Sequence, residues 1–419
     1  MTSKHLKVLR CAVAAALPVG VLSGCDSLLE AEAPSRILES TLIQPSNATV
    51  LLAGSIADFE CALANYVATM GTVADELADA QANAAIWDID RRTSNPATAL
   101  YATGGCGGFG GVYTPVATAR YSADNLLKLL GGWSDQDVPN RQALIARTAA
   151  YAGYSYILLG EGFCSAAVDL GPELTPQQIF TKAEERFTQV IGTAGVNDSL
   201  KNLALIGRAR ARINMGKRAE AAADAGAVPA NFVFNARYNA ANNRAENRLF
   251  RFNNTTGTVT VDSTYRNVRV GTVADPRVPV VDAGRGGSLP AVRLWTQQKY
   301  TALTSSIPIA TWREALLIRA EALGGQEAVT IINQLRARHS LPQFQSTDAA
   351  AIQLQVIEER RRELFLEGHR LYDTIRFNVE LRPAAGAAFP NGGGTYGTNK
   401  CLPLPDIERL NNPSITRGG

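Results

Sequence analysis

The sequence predicts a mostly α-helical protein in which helical hairpins flank a loop-rich insert with short strands. Two proline-free stretches rich in alanine and leucine, Val50–Met70 and Gln142–Gly160, have the composition and periodicity of helices. Residues 229–310 differ, because asparagine and arginine are frequent there and valines such as Val259 and Val261 alternate as in short strands. We therefore expect helices on both sides of an irregular central region.

The amino terminus has the pattern of a lipoprotein leader. Basic residues among the first ten precede an apolar stretch, Cys11–Leu22, which is too short to span a bilayer and fits a secretory signal. Small residues then precede Cys25, so we predict a signal peptide at 1–24, lipidation of Cys25 and a lipidated tether at 25–47. The alternative is an ordinary signal peptide in which Cys25 is incidental. No later segment looks apolar enough to form a second membrane span.

Two helix–turn–helix units with small residues at regular spacing support the hairpin architecture. One lies at Leu203–Ala223 with a turn at Gly216, and the other lies at Trp312–His339. Their pattern is that of tetratricopeptide-like hairpins, whose period is about 34 residues. We expect a single domain over 48–419. Its parts are helical hairpins at about 48–228 and 311–378, the irregular insert at 229–310 and a C-terminal loop segment at 379–419.

Four cysteines remain after the leader and the lipidation site, at Cys61, Cys106, Cys164 and Cys401. An even number in an exported protein favours two disulfides, with three possible connectivities, although buried free thiols are the alternative. If the segments before Trp133 and after Val138 form an antiparallel helix pair, Cys106 and Cys164 fall at the same end of it. Their pairing is therefore geometrically possible.

Composition argues against several functional classes. A formal net charge of +3 gives no field for nucleic acid, and no basic arm is present. Only His339 and His369 follow the leader, and neither has a metal-ligand spacing, so we expect no metal and no cofactor. The sequence of residues 105–110 formally fits GxGxxG, but Pro115 follows closely and an exported protein meets no nucleotide cofactors, so we interpret the match as accidental.

The segment around Glu358–Arg376 is dense in charge. An N-cap signal at Ser346–Asp348 predicts one long helix through about Phe377, with pairs such as Glu358–Arg362 and Glu367–Arg370 at helical spacing. The carboxylates could instead be catalytic. Because so many arginines would lower their pKa values, we favour a structural salt-bridge network.

A long loop at 81–111 is the candidate ligand surface, since long loops in compact domains are usually functional. Aromatic rings stack on sugars, and nearby polar groups supply hydrogen bonds. The candidate ligand-binding residues are Trp87, Asp88, Arg91, Arg92, Asn95, Tyr101, Phe109 and Tyr113. The alternative is that these rings pack the loop onto the helices.

Several segments together resemble the SusD/RagB family. The sharpest is EERRRELFLEGHRLYDTIR at Glu358–Arg376, which is similar to the family's ERRRELxFEGHRxxDLxR helix. Arg319–Ala322 resembles its RAEA helix, Ile332–Arg338 its INxxRxR segment, and Leu402–Pro413 its PIPxxE…NP ending.

This resemblance implies a surface lipoprotein of the outer membrane that captures a nutrient, most simply an oligosaccharide. It also implies delivery to a partner, a SusC-like TonB-dependent transporter. Asp26 would retain a lipoprotein at the inner membrane in enteric bacteria, but the resemblance favours the outer membrane facing the exterior. Two other functions remain open, a helical surface glycoside hydrolase and a scaffold that docks another protein.

Overall fold

The computed structural model describes residues 39–415, so the predicted leader and Cys25 lie outside the described residues. Contacts divide the chain after Leu42, and residues from Ile43 onward form one unit. Helices account for most of the regular structure of the described residues. In chain order they are α1 (Glu39–Leu42), α2 (Ala48–Val73), α3 (Trp87–Asp90), α4 (Leu100–Thr103), α5 (Tyr113–Gly132), α6 (Arg141–Gly162), α7 (Pro176–Gly192), α8 (Asp198–Asn214), α9 (Arg218–Gly226), α10 (Arg248–Phe250), α11 (Trp312–Leu323), α12 (Gly325–Ala337), α13 (Ala349–Glu363), α14 (Arg370–Arg376) and α15 (Asp406–Asn411).

The strands are short and occur as antiparallel pairs, mainly in the predicted insert. They are β1 (Leu77–Asp79), β2 (Ala166–Ala167), β3 (Glu173–Leu174), β4 (Val233–Ala236), β5 (Val259–Val261), β6 (Arg269–Val270), β7 (Val273–Ala274), β8 (Val280–Gly286), β9 (Arg293–Gln297) and β10 (Ile307–Thr311). The pairs are β1 with β5, β4 with β10, β2 with β3, β6 with β7 and β8 with β9. Valine clusters therefore marked strands correctly at β5, β6 and β8.

The helices stack in sequence as hairpins. Each of α5 to α8 packs on the helix that follows it. Helix α9 packs on α11, and α11 packs on α12 and α13. Local signals set the ends: Thr175 and Gln178 form a capping box at α7, and the Asp348 side chain caps α13 as predicted. The mostly helical, tetratricopeptide-like fold is confirmed.

The stack is tight because glycine lies where α6 and α8 approach α7. A Cβ atom on Gly153 would lie 2.7 Å from the Phe187 ring, and one on Gly207 would lie 2.3 Å from it. On Gly160 a Cβ atom would lie 2.5 Å from the Phe180 ring. Both rings are fully buried and have no free space to move into. Small residues therefore allow α6 and α8 to approach α7 closely.

Helix α2 runs through the centre of the core. With the turn before it, the stretch Pro45–Val73 is long and apolar enough to cross a membrane, so the expectation that no later segment has that composition is wrong. From Cys61 to Val73 every residue is buried, and α2 contacts α5, α6 and α14. Its apolar composition reflects this central position.

The prediction of one long helix through Phe377 is wrong. Helix α13 ends at Glu363, and the chain turns before α14 begins at Arg370. Leu366 has a φ of 55° and Gly368 a φ of 81°, which no helix interior contains. The turn is held by the buried Glu76 carboxylate, which accepts a hydrogen bond from the Leu366 amide at 2.8 Å. A distant residue therefore breaks a segment that is helical by local sequence.

Replacing Gly207 by alanine tests the close approach of α8 and α7. We expect Gly207→Ala to lower the free energy of unfolding by about 1–3 kcal/mol, because the new methyl group overlaps the confined Phe187 ring. Urea unfolding measures the change. Gly54→Ala in α2 is the matched control, since nothing lies within 4 Å of its Cβ position, and it should be neutral or stabilising by up to about 1 kcal/mol. Equal effects of the two substitutions would contradict the packing argument.

Candidate ligand-binding site

Two disulfides fasten the irregular segments to the helices. Cys61 in α2 pairs with Cys106, and Cys164 after α6 pairs with Cys401, with Cα–Cα distances of 5.8 and 5.1 Å. The expectation of two disulfides is confirmed. Of the three connectivities left open, the one that pairs Cys106 with Cys164 does not occur, because Cys106 lies in a loop that folds back over α2 and not at the end of α6.

The glycine-rich stretch 105–110 is part of that loop. It lies between two helices, α4 and α5, so the strand that a dinucleotide-binding turn requires is not there. The Asn65 side chain in α2 donates to the carbonyl of Gly111 at 2.8 Å. A Cβ atom on Gly104 would lie 2.7 Å from the Gly111 backbone. These glycines allow the loop to close on itself.

Trp87 and Phe109 are the half-buried aromatic residues of the 81–111 loop, and Trp87 lies beside the ion pair of Asp88 and Arg91. Trp87 opens α3, and its indole Nε1 donates to the Gln81 carbonyl at 2.9 Å. Its ring centroid lies 5.8 Å from that of Phe389, and Gly392 approaches its edge. These contacts fix the indole, which keeps part of its surface accessible to solvent.

Asp88 and Arg91 accompany Trp87 on the same helical turn. They form an ion pair, and their side chains are 32% and 25% exposed. The Arg91 guanidinium also donates to the Gly393 carbonyl at 3.1 Å and lies over the Phe389 ring. Planar, oriented donors and acceptors of this kind suit the paired hydroxyl groups of a sugar.

The other candidate residues have structural contacts. Arg92, Tyr101 and Tyr113 are buried: Arg92 lies over the Tyr396 ring, Tyr101 donates to the Pro403 carbonyl at 2.7 Å, and Tyr113 packs on Phe163. Half-buried Phe109 packs on Phe252, and exposed Asn95 caps the next short turn. For the three buried residues the alternative interpretation, packing of the loop onto the helices, describes their positions.

Sequence reasoning missed the second wall of this site, the C-terminal loop at 383–399. Phe389 and Tyr396 from this loop are buried against α3 and its following residues, and Gly392–Gly394 pass over Trp87 and Arg91. The glycine-rich composition of 392–394 was the available signal. Nothing local indicates that this loop meets a helix about 300 residues earlier.

A large cleft of about 840 Å³ adjoins the start of the same loop. Its lining includes Thr264, Arg361 and Arg370, and residues 379–384 form one wall. The Arg92 guanidinium donates to the Pro383 carbonyl of this wall.

The carboxylates of the charged segment are paired with cations. Buried Glu359 contacts Arg277 of the insert and Arg336 of α12, the latter at 2.7 Å. Buried Glu363 lies 3.0 Å from Arg313 of α11 and 3.3 Å from Arg277. The predicted structural network is therefore present. The expected Glu367–Arg370 pair is wrong, because the turn separates them: Glu367 pairs with Lys299 and Arg370 with Asp75.

Electrostatics at the cleft favour binding over acid catalysis. Of the carboxylates in the charged segment, Glu358 faces the cleft, and Arg361 and Arg362 outweigh its burial and lower its pKa. The adjacent Asp75 is held by two hydrogen bonds from Arg370. A glycosidase needs one carboxyl group of raised pKa beside the bond it cleaves. In the described part of the chain, residues 39–415, no group of three metal-ligating side chains occurs.

His369 lies in the interior between these pairs. Burial and the charges of Arg210 and Arg360 hold its pKa well below the ordinary value, so the ring is neutral. Its Nε2 atom lies 3.4 Å from the Arg210 guanidinium and serves as a hydrogen-bond acceptor in that tautomer. His369 therefore has a structural role, as a hydrogen-bond acceptor for buried Arg210.

The known proteins that this chain resembles belong to one family. The model of the SusD family matches residues 175–403. A SusD superfamily protein from Bacteroides fragilis has a TM-score of 0.69 and 15% identity, covering 89% of this chain and 99% of that one. A laminarin-binding SusD-like protein has a TM-score of 0.67 and 18% identity, covering 88% and 98%. A SusD-like carbohydrate-binding protein from Bacteroides vulgatus has a TM-score of 0.67 and 14% identity, covering 89% and 97%. No curated protein matches.

The charged network makes opposite predictions for two buried carboxylates. Burial raises the pKa of Glu314 to about 8, because Arg210 at 3.8 Å is too distant to hydrogen-bond. For Glu363, burial is outweighed by the His339 ring, Arg313 and Arg277, which hold its pKa at about 2. We expect Glu363→Gln to lower the free energy of unfolding by about 1.5–3 kcal/mol at pH 7, because it removes the charged acceptor that Arg313 and Arg277 share, while Glu367 and Glu359 still pair with these arginines. That cost should shrink as the pH falls from about 4.5 towards 2, where the wild-type carboxylate loses its charge.

Glu314→Gln is the control with the opposite sign. Below about pH 4.5 Glu314 is protonated in both the folded and the unfolded protein, so the variant should match the wild type. Between about pH 4.5 and 8 the unfolded wild type ionises while the folded Glu314 stays protonated, so the wild type loses stability and the variant should become the more stable of the two. Chemical unfolding across this pH range measures both effects. A Glu363→Gln protein as stable as wild type at pH 7 would show that the network carries no stability.

Proposed function

Because this chain belongs to the SusD family, we propose that it is a cell-surface protein that captures a carbohydrate and transfers it to a membrane transporter. A structural neighbour named for laminarin binding and another named for carbohydrate binding support this ligand class. The residues proposed to capture the carbohydrate all belong to this chain.

The observation that carries the proposal is the half-buried indole of Trp87 beside an exposed ion pair. Sugar rings present C–H faces that stack on aromatic rings, while their edges present hydroxyl groups. Trp87 would supply the stacking face, and Asp88 and Arg91 would supply oriented acceptors and donors. Phe389 supports the indole from behind, so little conformational entropy is lost on binding.

The pairing of carboxylates with arginines supports capture in preference to hydrolysis. Glu358 at the large cleft accepts hydrogen bonds from Arg361 and Arg362, and its lowered pKa makes it unsuited to donating a proton. We propose that a bound carbohydrate leaves the protein without being cleaved. Release then requires a partner, and we propose a SusC-like TonB-dependent transporter in that role.

Anchoring is the remaining part of the proposal. Cys25, which lies outside the described residues, would carry the lipid and hold the protein at the outer membrane facing the exterior. The tether that follows it would leave the stacked helices free to contact the transporter. Lipid chains of this kind bind membranes without a spanning helix.

Substituting Trp87 tests the ligand site. We expect Trp87→Ala to weaken carbohydrate binding about tenfold or more, because a buried stacking contact contributes roughly 1.4 kcal/mol or more. Calorimetry against a panel of soluble glycans, with laminarin as the first probe, gives the affinity, and reducing-end analysis of the same samples reports hydrolysis. Trp133→Ala is the matched control, since Trp133 packs beside α2 and the α5–α6 turn.

The outcomes separate the alternatives. Unchanged affinity in a folded Trp87→Ala protein would remove this residue from the site. New reducing ends with the wild-type protein would favour the glycoside hydrolase. Absence of binding across the panel, with a protein partner recovered instead, would favour the scaffold.

Anchoring and partner are tested together in whole cells. We expect externally added protease to digest the wild-type protein on intact cells, and gentle detergent extraction to recover it with a β-barrel of the outer membrane. Cys25→Ser should abolish lipid labelling and release the protein from the membrane fraction, because the acylated thiol is the anchor. A wild-type protein protected from protease until the cells are opened would contradict the exterior location.

A further inference from the structure

The two disulfides differ in their access to solvent. Cys61 and Cys106 are 1% and 9% exposed and lie in the core beside α2. Cys164 is exposed and Cys401 is half-buried, and both line an open cleft of about 430 Å³. Lys400 lines the same cleft, where its ammonium group favours the approach of a thiolate. A dissolved thiol can therefore approach Cys164 directly, whereas Cys61 is enclosed and Cys106 meets a second open cleft with 9% of its surface exposed.

The exposed disulfide lies at the end of the loop that forms the second wall of the Trp87 site. From α14 the chain passes through 383–399, contacts Trp87, Arg91 and Arg92, and is then fixed at Cys401 to the end of α6. Hydrogen bonds also join the loop to residues 79–94: the Gly397 amide donates to the Arg91 carbonyl at 2.7 Å, the Asn399 amide to the Arg92 carbonyl at 3.3 Å, and the Asn391 and Asn399 side chains to the Asp79 and Ser94 carbonyls. Exposed residues still make up most of this loop. The disulfide is its covalent link to the helices.

The chain beyond Cys401 is held independently of the disulfide. The Cys164 amide donates to the Leu402 carbonyl at 2.9 Å, and the Leu402 amide donates to the Gly162 carbonyl at 3.0 Å. Leu402 and Leu404 are fully buried. Opening the bond would therefore loosen the loop before Cys401 and leave the segment after it in place. The expected change is local, because the core does not need this bond.

We propose that Cys164–Cys401 is a thiol–disulfide exchange site whose reduction loosens the 383–399 loop, while Cys61–Cys106 stays closed. The reductant is a low-molecular-weight thiol or a surface dithiol protein. Its thiolate attacks Sγ of Cys164, forms a mixed disulfide and releases Cys401 as a thiolate, which takes up a proton. A second thiolate resolves the mixed disulfide. Two electrons pass to the protein, and the reductant becomes a disulfide.

The consequence for ligand capture rests on the proposed function. Phe389 and Gly392–Gly394 support Trp87 and Arg91 from this loop, so a loosened loop would lower the affinity for carbohydrate without any change at the indole itself. A four-cysteine chain of this kind could then bind its ligand under oxidising conditions and release it under reducing ones.

The test uses the folded, oxidised protein and no carbohydrate, so it can fail while the proposed function stands. Native protein is treated with dithiothreitol, alkylated with iodoacetamide and mapped by mass spectrometry. Amide hydrogen exchange is followed in parallel. We expect alkylation at Cys164 and Cys401, protection of Cys61 and Cys106, and exchange roughly tenfold or more faster in peptides of 383–399. Peptides of α6 and α8 should be unchanged.

Variants locate the effect. Cys164→Ser with Cys401→Ser should show the fast exchange without reductant and give no further response to it. Cys61→Ser with Cys106→Ser, if folded, should keep the response of the wild type; the wild-type measurement stands without it. Equal alkylation of all four cysteines, or alkylation of Cys164 and Cys401 with unchanged exchange in 383–399, would overturn the proposal.

Discussion

Buried charges that neutralise one another hold the two halves of this fold together. Arg277 comes from the strand-rich insert, whereas Glu359 and Glu363 come from α13 between the helical hairpins, and all three side chains are almost inaccessible to water. Placing a charge in the interior costs several kcal/mol unless a partner and further hydrogen bonds compensate. The insert can therefore pack on the hairpins only in the one register in which each cation meets its carboxylate. Arg336 and Arg313 extend this requirement to α12 and α11.

The candidate ligand site depends indirectly on the charged segment Glu358–Arg376. The turn after α13 directs Arg370 towards Asp75, and Asp75 also accepts a hydrogen bond from the Arg382 amide at 3.3 Å. Arg382 begins the loop that returns past Trp87 and ends at the exposed disulfide. The ionic core and the largely exposed loop therefore meet at Asp75, which contacts both Arg370 and Arg382. Affinity for cargo can vary in the loop while the core preserves the fold.

Sequence patterns were informative wherever the controlling contacts are local. Helix α6 was predicted within two residues of its observed ends, because apolar periodicity acts over a few positions. The segment after α13 was mispredicted for the opposite reason: its helical pattern continues, but the Glu76 carboxyl group holds the Leu366 amide from 290 positions away. The connectivity of the cysteines stayed open from sequence, since spacing along the chain says little about which loops return to which helix.

By itself the sequence determined the helical hairpins, the strand-bearing insert, the paired charges of Glu358 and Arg362 and the likeness to one family, all through interactions between near neighbours or through a specific motif. The tertiary structure alone decided which aromatic side chains of the 81–111 loop keep accessible surface: Trp87 and Phe109 are half-buried, and Tyr101 is buried. Tyr101 is buried by a segment from 302 positions later, and Trp87 is only half-covered by the loop before it. Exposure is a property of contacts between distant segments, and no local pattern records them.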